Sequence, residues 1–154
     1  MNARAIVLIS LLGLFGTSAC LAADASMGTW KLNEAKSTIA PGAPKNNTVV
    51  VAAAGDQVKI TVDGVTGDGK PLHSEWTGKY DGKDYPVTGD PSTDARSYKS
   101  VDAHTLELTN KKGGKTTMTG KIVVSADGKT RTVTVNGTSP DGKKVSVNAL
   151  YDKQ

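Results

Sequence analysis

The sequence predicts an all-β protein: an antiparallel up-and-down meander of eight to ten strands closed into a β-barrel. Two observations support this. Between turn signals, apolar and polar residues alternate, so each expected strand has one apolar face. The turn signals recur evenly, thirteen residues apart at Gly55-Asp56, Asp68-Gly69 and Asp81-Gly82, and fourteen apart at Gly113-Gly114, Asp127-Gly128 and Asp141-Gly142. Glycine reaches the positive φ that tight hairpin turns require. Long one-faced strands coil and close, although a two-sheet β-sandwich is an alternative with the same strand pattern.

Residues 1–23 have the composition of a signal peptide. Arg4 is their only charge, an apolar run extends over residues 5–15, and small residues follow around Cys20. The apolar run is shorter than the roughly 20 residues that a membrane-spanning helix needs. We expect cleavage after Ala22 or Ala23, a single β-barrel domain over residues 24–154, and a periplasmic or secreted protein.

The segment Thr17-Ser18-Ala19-Cys20 resembles a bacterial lipobox and gives a second possibility. In that alternative, Cys20 is lipidated and the protein is a membrane-anchored lipoprotein. Cys20 is the single cysteine of the chain, so a protein cleaved after it has no thiol for a disulfide, a metal or catalysis. A membrane is therefore expected as a partner only if Cys20 is lipidated.

The alternation assigns an inward face to each strand. Gly78, Gly120 and Gly137 fall on these faces, where glycine is typical of bends that let long strands curl. The residues expected to point inward are Val58, Ile60 and Val62; Leu72, Ser74, Trp76, Gly78 and Tyr80; Leu106 and Leu108; Met118, Gly120, Ile122 and Val124; Val133, Val135 and Gly137; and Val145, Val147, Ala149 and Tyr151.

Three segments interrupt the meander. Residues 33–37 are expected to form a single helical turn, and residues 39–47, which contain Pro41, Gly42 and Pro44, a loop. Between Asp84 and Asp94 the turn spacing breaks down, which predicts a short edge strand and a mobile loop.

The charge pattern indicates a solvated rim rather than a nucleic-acid surface. The formal net charge is +4, and many lysines fall at the expected turns. A nucleic-acid surface usually adds aromatic residues beside the basic ones, and this chain has two Trp, four Tyr and one Phe. We expect no nucleic-acid partner.

No constellation of residues indicates catalysis. His73 and Glu75 share an outward face, but no third ligand completes a metal site with them. Residues 89–94 contain oxygen ligands yet lack the spacing and terminal Glu of an EF-hand loop. No nucleophile, base and orienting acid form a set. The sequence therefore predicts a protein that is not an enzyme and has no metal and no cofactor.

Four residues are candidates for ligand binding: Trp76, Arg96, Tyr98 and Arg131. Arg96 and Tyr98 share one face, and Arg131 leads the face that carries Val133 and Val135. An arginine inside a barrel needs an anion or acceptors, because an unpaired buried charge is costly. A ligand carboxylate would meet that need. The alternative is that these positions face solvent at the barrel mouth, or that the register is shifted by one residue.

Two stretches resemble known families. Gly28-Thr29-Trp30-Lys31-Leu32 is similar to the first-strand Gly-x-Trp signature of the calycins, the lipocalins and fatty-acid-binding proteins. Nearly the whole length after residue 23 also resembles a group of small exported bacterial proteins of unassigned function. That likeness is carried by Trp30-Lys31-Leu32-Asn33 with Lys36-Ser37, by the run from Tyr80 to Gly89, and by Tyr151-Asp152-Lys153-Gln154.

The resemblance implies an exported lipocalin-like domain and supplies no substrate or catalytic residue. The chain departs from lipocalins in lacking disulfide cysteines and a C-terminal helix, and from fatty-acid-binding proteins in lacking a helical lid. The Arg96-x-Tyr98 spacing is similar to the carboxylate clamp of fatty-acid-binding proteins, although that clamp lies nearer the C-terminus.

The sequence therefore predicts an exported monomer that binds a small, partly apolar or carboxylate-bearing molecule inside a barrel without catalysis. The alternative is a non-catalytic structural or interaction protein of the cell envelope, lipid-anchored if Cys20 is modified. In that alternative the core is filled and residues 85–94 carry the function.

Overall fold

The computed structural model describes residues 25–138 and 142–154, so the expected signal peptide and Cys20 lie outside the described residues. A short 3-10 helix spans Glu34–Lys36. The strands are β1 (Gly28–Leu32), β2 (Thr38–Ile39), β3 (Lys45–Ala54), β4 (Gln57–Val65), β5 (Pro71–Gly78), β6 (Tyr85–Thr88), β7 (Ala95–Ser100), β8 (Thr105–Lys112), β9 (Lys115–Val124), β10 (Thr130–Thr138) and β11 (Lys144–Lys153). Within these two ranges, no helix combines the length and apolar character needed to cross a membrane.

The sheet closes into a barrel through β1. This strand pairs with β3 on one side and with β11 on the other, so Trp30 lies opposite both Val49 and Lys153. From β3 to β11 each strand pairs with the next one in the sequence, always antiparallel. The short β2 pairs with β11 beyond β1, beside Val147. The predicted meander and its closure are confirmed, with ten strands in the wall and β2 in addition; the two-sheet alternative is wrong.

The turn glycines have the predicted conformation, although not all the turns are tight hairpins. The two-residue connections are Gly55-Asp56 and Gly113-Gly114. The turns around Asp68 and Asp127 are longer, and in each the carboxylate accepts a hydrogen bond from a hydroxyl, that of Thr66 or of Ser125. Asp81-Gly82 lies within the connection from β5 to β6. The turn glycines with positive φ are Gly55, Gly69, Gly82, Gly113, Gly114, Gly128 and Gly142.

The interruptions of the meander are partly as expected. The helical turn is present, and the Lys36 amide donates to Asn33 Oδ1 at 3.2 Å as a cap. The loop expected over residues 39–47 is shorter, because Ile39 belongs to β2 and Lys45 begins β3. The strand β6 is short, as predicted, but it is not an edge strand: it pairs with both β5 and β7, since a closed barrel has no edge.

The inward faces are as predicted and supply most of the barrel core, which also includes Trp30, Val49, Val51, Val87 and Tyr98. Gly78 and Gly120 lie where neighbouring atoms leave no room for a Cβ: the rings of Tyr85 and Trp76 in one case, the Thr134 carbonyl in the other. These glycines let the wall bend tightly. Within the barrel, the rings of Tyr80, Tyr85 and Tyr98 all lie close to the Trp76 ring.

Candidate functional site

The closed end of the barrel is sealed by residues 25–27, which precede β1. The residues that form this end are Ser26, Trp30, Tyr80, Arg131 and Tyr151. The Trp30 side chain is fully buried, and its Nε1 donates to the Ser26 carbonyl at 2.8 Å. Ser26 Oγ shares a hydrogen bond of 3.0 Å with the Tyr80 hydroxyl. The Gly-x-Trp tryptophan therefore holds the chain across this end.

Arg131 is a buried cation to which the described residues offer no counter-ion. It is 5% exposed, and its Cζ lies 5.4 Å from the ring centroid of Trp30 and 4.9 Å from that of Tyr151. Its Nε is buried with no hydrogen-bond partner. No carboxylate of the described chain lies within ion-pair distance of its guanidinium. Burial lowers the pKa of Arg131, yet a guanidinium stays charged at neutral pH.

The tyrosines around Arg131 are neutral hydrogen-bond donors. Burial raises the pKa of Tyr80 to about 12. Burial also raises the pKa of Tyr151, and the nearby Arg131 cation opposes that shift. Tyr98 lies close enough to interact electrostatically with Arg131. In the part of the chain that the structure describes, the hydroxyls of Tyr98 and Tyr151 have no hydrogen-bond partner.

The open end of the barrel contains a pocket of about 560 Å³. Apolar side chains cover much of its wall, among them Leu72 and Met118, and residues 90–93 border it. A second space, a cavity of about 90 Å³, lies inside the barrel and reaches the closed end at Ser26, Arg131 and Tyr151. The residues that line both spaces are Pro44, Leu72, Asp90, Ser92 and Met118.

Arg96 lies inside the barrel near the open end and is paired with protein groups. Its Nε donates to Asn110 Oδ1 at 2.6 Å, and its Nη2 lies 3.7 Å from Asp90 Oδ2. The Asp90 carboxylate also accepts from the Ser92 amide at 2.9 Å, which fixes the loop after β6. Arg96 thus belongs to a polar cluster in the wall of the cavity.

Three of the four predicted ligand-binding residues line the interior cavity: Arg96, Tyr98 and Arg131. All three side chains point inward. The two alternatives, a solvent-facing position at the barrel mouth and a register shifted by one residue, therefore do not apply to them. Trp76 does not line the cavity, contrary to expectation. Tyr80, Tyr85 and Tyr98 pack around its ring, with 4.8 Å between the centroids of Trp76 and Tyr98, and its Nε1 donates to the Arg96 carbonyl at 3.0 Å.

Several cavity residues are not among the sequence predictions. Asn110 follows Leu106 and Leu108 at a spacing of two, so the alternation along β8 indicates that it faces inward. Asp90 stands in a segment that reads as an ordinary turn, and nothing in the sequence indicates that Ser26 closes one end of the barrel.

The outer surface carries ion pairs between neighbouring strands. His73 is exposed, as predicted, and its Nδ1 lies 2.6 Å from Asp63 Oδ1. Glu75 pairs with Lys59 at 2.7 Å rather than with His73. Over residues 25–138 and 142–154, no three His, Cys, Asp or Glu side chains come together as a metal site.

Known proteins resemble this chain in fold alone. No protein-family model matches it, and no curated protein matches it significantly. A redesigned β-barrel, mFAP1, bound to DFHBI, is 17% identical over 86% of this chain and 98% of its own, with a TM-score of 0.48. The structure of EF1p2_mFAP2b bound to DFHBI is 14% identical over 89% of this chain and 100% of its own, with a TM-score of 0.51.

Proposed function

We propose that the protein binds a small, partly apolar molecule through the open end of its barrel and catalyses no reaction. The observation that carries this proposal is the pocket of about 560 Å³ at the open end, which shares wall residues such as Leu72 and Met118 with the interior cavity. We further propose that it does so as an exported monomer of the periplasm or the extracellular space, as the signal-peptide composition indicates.

The sizes of the two spaces indicate how such a ligand would lie. The pocket of about 560 Å³ is within the range of small-molecule sites, roughly 300 to 1,000 Å³. The interior cavity of about 90 Å³ is smaller than the roughly 150 Å³ of an engineered cavity that binds benzene. The body of the ligand would therefore occupy the open end, and only a slender part would enter the barrel.

The chemistry of the walls supports binding rather than catalysis. Apolar side chains supply contact area, and the Arg96–Asp90 cluster offers a few fixed polar groups, the combination typical of ligand pockets. Both histidines lie on the outer surface, away from the cavity. The fold is compatible with a bound ligand, since EF1p2_mFAP2b, which shares it, is bound to DFHBI.

A pair of variants on β9 tests the proposal. Met118 lines both spaces, whereas its neighbour Thr119 is exposed on the outer face. Met118→Trp should fill space in the pocket and the cavity that Met118 lines, and Thr119→Trp adds the same side chain outside the barrel. We expect a component of a cell-envelope lipid extract to bind the wild type and Thr119→Trp in native mass spectrometry and to raise their melting temperatures, but not to bind Met118→Trp. Absence of any bound component in the wild type, or equal binding by both variants, would refute the proposal.

One observation favours a second candidate function. The cavity inside the barrel measures only about 90 Å³, which fits a filled structural or interaction domain of the cell envelope. In that case the segment from β6 to Asp94 would contact a partner, and Cys20 would be the site of lipidation. Mass spectrometry of the mature N-terminus tests the lipid anchor. An anchored protein would begin with a diacylglyceryl-cysteine, whereas the secreted form would not.

A further inference from the structure

Asp90 and Arg96 form an ion pair that is almost closed to solvent but is not hydrogen-bonded. Arg96 Nη2 lies 3.7 Å from Asp90 Oδ2, which is too far for a hydrogen bond. The two side chains are only 10% and 11% exposed. Because opposite charges at this distance largely cancel for a third group, the pair presents a polar site without net charge.

A neighbouring residue fixes each partner of this pair. Asp90 Oδ1 accepts hydrogen bonds from the Ser92 amide at 2.9 Å and from Ser92 Oγ at 2.7 Å. Arg96 Nε donates to Asn110 Oδ1 at 2.6 Å. In the part of the chain that the structure describes, Asp90 Oδ2 accepts no hydrogen bond and the two Nη groups of Arg96 donate none. One acceptor and several donors are therefore held in place with unused capacity.

The position of the pair determines which part of a ligand contacts it. Asp90 lines both the pocket at the open end and the interior cavity, and Arg96 lines the cavity. The cavity of about 90 Å³ holds a terminal group of a few heavy atoms, since one water occupies roughly 30 Å³. The body of the ligand must therefore stay in the pocket, and only a small polar group contacts Asp90 and Arg96.

We propose that Asp90 and Arg96 select a ligand with an uncharged amide, a carboxamide or a lactam, on a compact apolar body. This inference rests on the proposed function and names its ligand class. The amide N–H donates to Asp90 Oδ2, and the amide carbonyl accepts from an Nη group of Arg96. One neutral group thus satisfies both partners, and hydrogen bonds to charged groups are stronger than those between neutral groups.

Other polar groups satisfy the pair less well. A carboxylate accepts from Arg96, but it has no proton for Asp90 and is repelled by the negative charge. An ammonium group is repelled by Arg96 in the same way. A hydroxyl has its donor and acceptor on a single atom, so it aligns poorly with two partners 3.7 Å apart. Asp90 therefore takes the place beside Arg96 that a ligand carboxylate would need, which makes it the specificity-determining residue.

Calorimetric titrations with 2-naphthamide, 2-naphthalenemethanol and 2-naphthoate compare three polar groups on one apolar body. We expect the wild-type protein to bind the amide about tenfold more tightly than the alcohol, the smaller effect expected for a hydrogen bond to a charged group, and to bind the carboxylate least. Equal binding of the three compounds, or tighter binding of 2-naphthoate, would refute the amide site and leave the proposed function standing.

Asp90→Asn removes the negative charge and keeps an oxygen for the Ser92 amide. The variant should bind 2-naphthoate about tenfold more tightly than the wild type does, because Arg96 loses its counter-ion, and should bind the amide more weakly. Asp94→Asn is the control. Asp94 is exposed in the same segment, lines neither space and accepts from the Gly113 amide, so its variant should keep the wild-type order.

Two further outcomes would overturn the proposal. If Asp90→Asn keeps the wild-type order of the three compounds, Asp90 does not determine the specificity. If none of the three compounds binds the wild type, the amide ligand is refuted, and the extract experiment with Met118→Trp then decides the proposed function separately.

Discussion

Arg131 and Tyr151 face each other across β10 and β11, with the guanidinium carbon 4.9 Å from the centroid of the phenol ring. The ring covers one part of the cation, Trp30 covers another, and no carboxylate of the described chain pairs with it. The closed end therefore combines tight packing with an uncompensated charge. Stabilisation by these aromatic contacts and the cost of burying the charge act in opposite directions, and substitution at position 131 measures their balance.

Arg131→Met should raise the free energy of unfolding of the ligand-free protein by about 1 kcal/mol, because a buried charge without a partner is replaced by an apolar side chain of similar length. Urea denaturation of the two proteins checks this. A decrease of about 1 kcal/mol or more would contradict it and would show that the cation–π contacts with Trp30 and Tyr151 outweigh the burial cost.

Arg96→Met should have the opposite effect and lower the free energy of unfolding by about 2 kcal/mol or more. It leaves the buried Asn110 side chain without its 2.6 Å partner and Asp90 without its cation. Urea denaturation measures this loss of stability, with the double variant Arg96→Met/Asn110→Leu as the control. The double variant should recover part of the loss, and a double variant that is less stable still would argue against pairing as the cause.

Tyr80 should make the protein sensitive to alkali. Its pKa is about 12 in the folded state against 10.0 for a free tyrosine, because burial disfavours the phenolate. The folded state thus holds the proton more tightly, so this contribution to stability is complete below pH 10 and is lost as the pH rises toward 12. The loss should be on the order of 2 to 3 kcal/mol.

Unfolding measured between pH 9 and 12, with Tyr80→Phe for comparison, checks this sign. The variant should be about 1 kcal/mol less stable at neutral pH, where it lacks the hydrogen bond to Ser26, and should lose less stability as the pH rises. Because burial also raises the pKa of Tyr151, the stability of the Tyr80→Phe variant should still decrease somewhat as the pH rises. Identical alkaline profiles for the two proteins would show that Tyr80 is not the group responsible.

Gly120→Ala should destabilise the barrel by about 2 kcal/mol or more. The new Cβ would collide with the Thr134 carbonyl and the Val135 backbone on β10, which cannot move without disturbing the ladder. Thr119→Ala, at the exposed neighbouring position, should change the stability by less than about 0.5 kcal/mol. Thermal unfolding of the two variants measures these effects. If both variants change the stability equally little, the barrel wall can move enough to accommodate a Cβ at position 120.

Local patterns predicted the strands and turns because hairpins between sequence neighbours depend on local signals. The turn glycines adopt the expected positive φ, and the alternating residues face the core. Closure through β1 and β11 joins opposite ends of the chain and depends on the curvature of the whole sheet. The prediction that β6 is an edge strand was wrong for that reason, because closure of the barrel pairs β6 on both sides.

The inward direction of three candidate residues was predicted because alternation alone determines it. Arg96, Tyr98 and Arg131 point inward because strand residues two positions apart share a face. The pairing of Arg96 with Asn110 depends on the register between β7 and β8, and the position of Ser26 depends on how the chain crosses the closed end. Trp76 was expected at the ligand, but its ring packs among tyrosines whose positions only the assembled barrel determines.

The methyl resonance of Met118 gives the most direct test of a binding site at the open end. In the protein labelled with ¹³C at methionine methyl groups, titration with decanoate or decanol should shift this resonance in a saturable way, because Met118 lines both the pocket and the interior cavity. A Met118 resonance that stays in place while both compounds reach saturating concentration would contradict entry of a small molecule into the barrel.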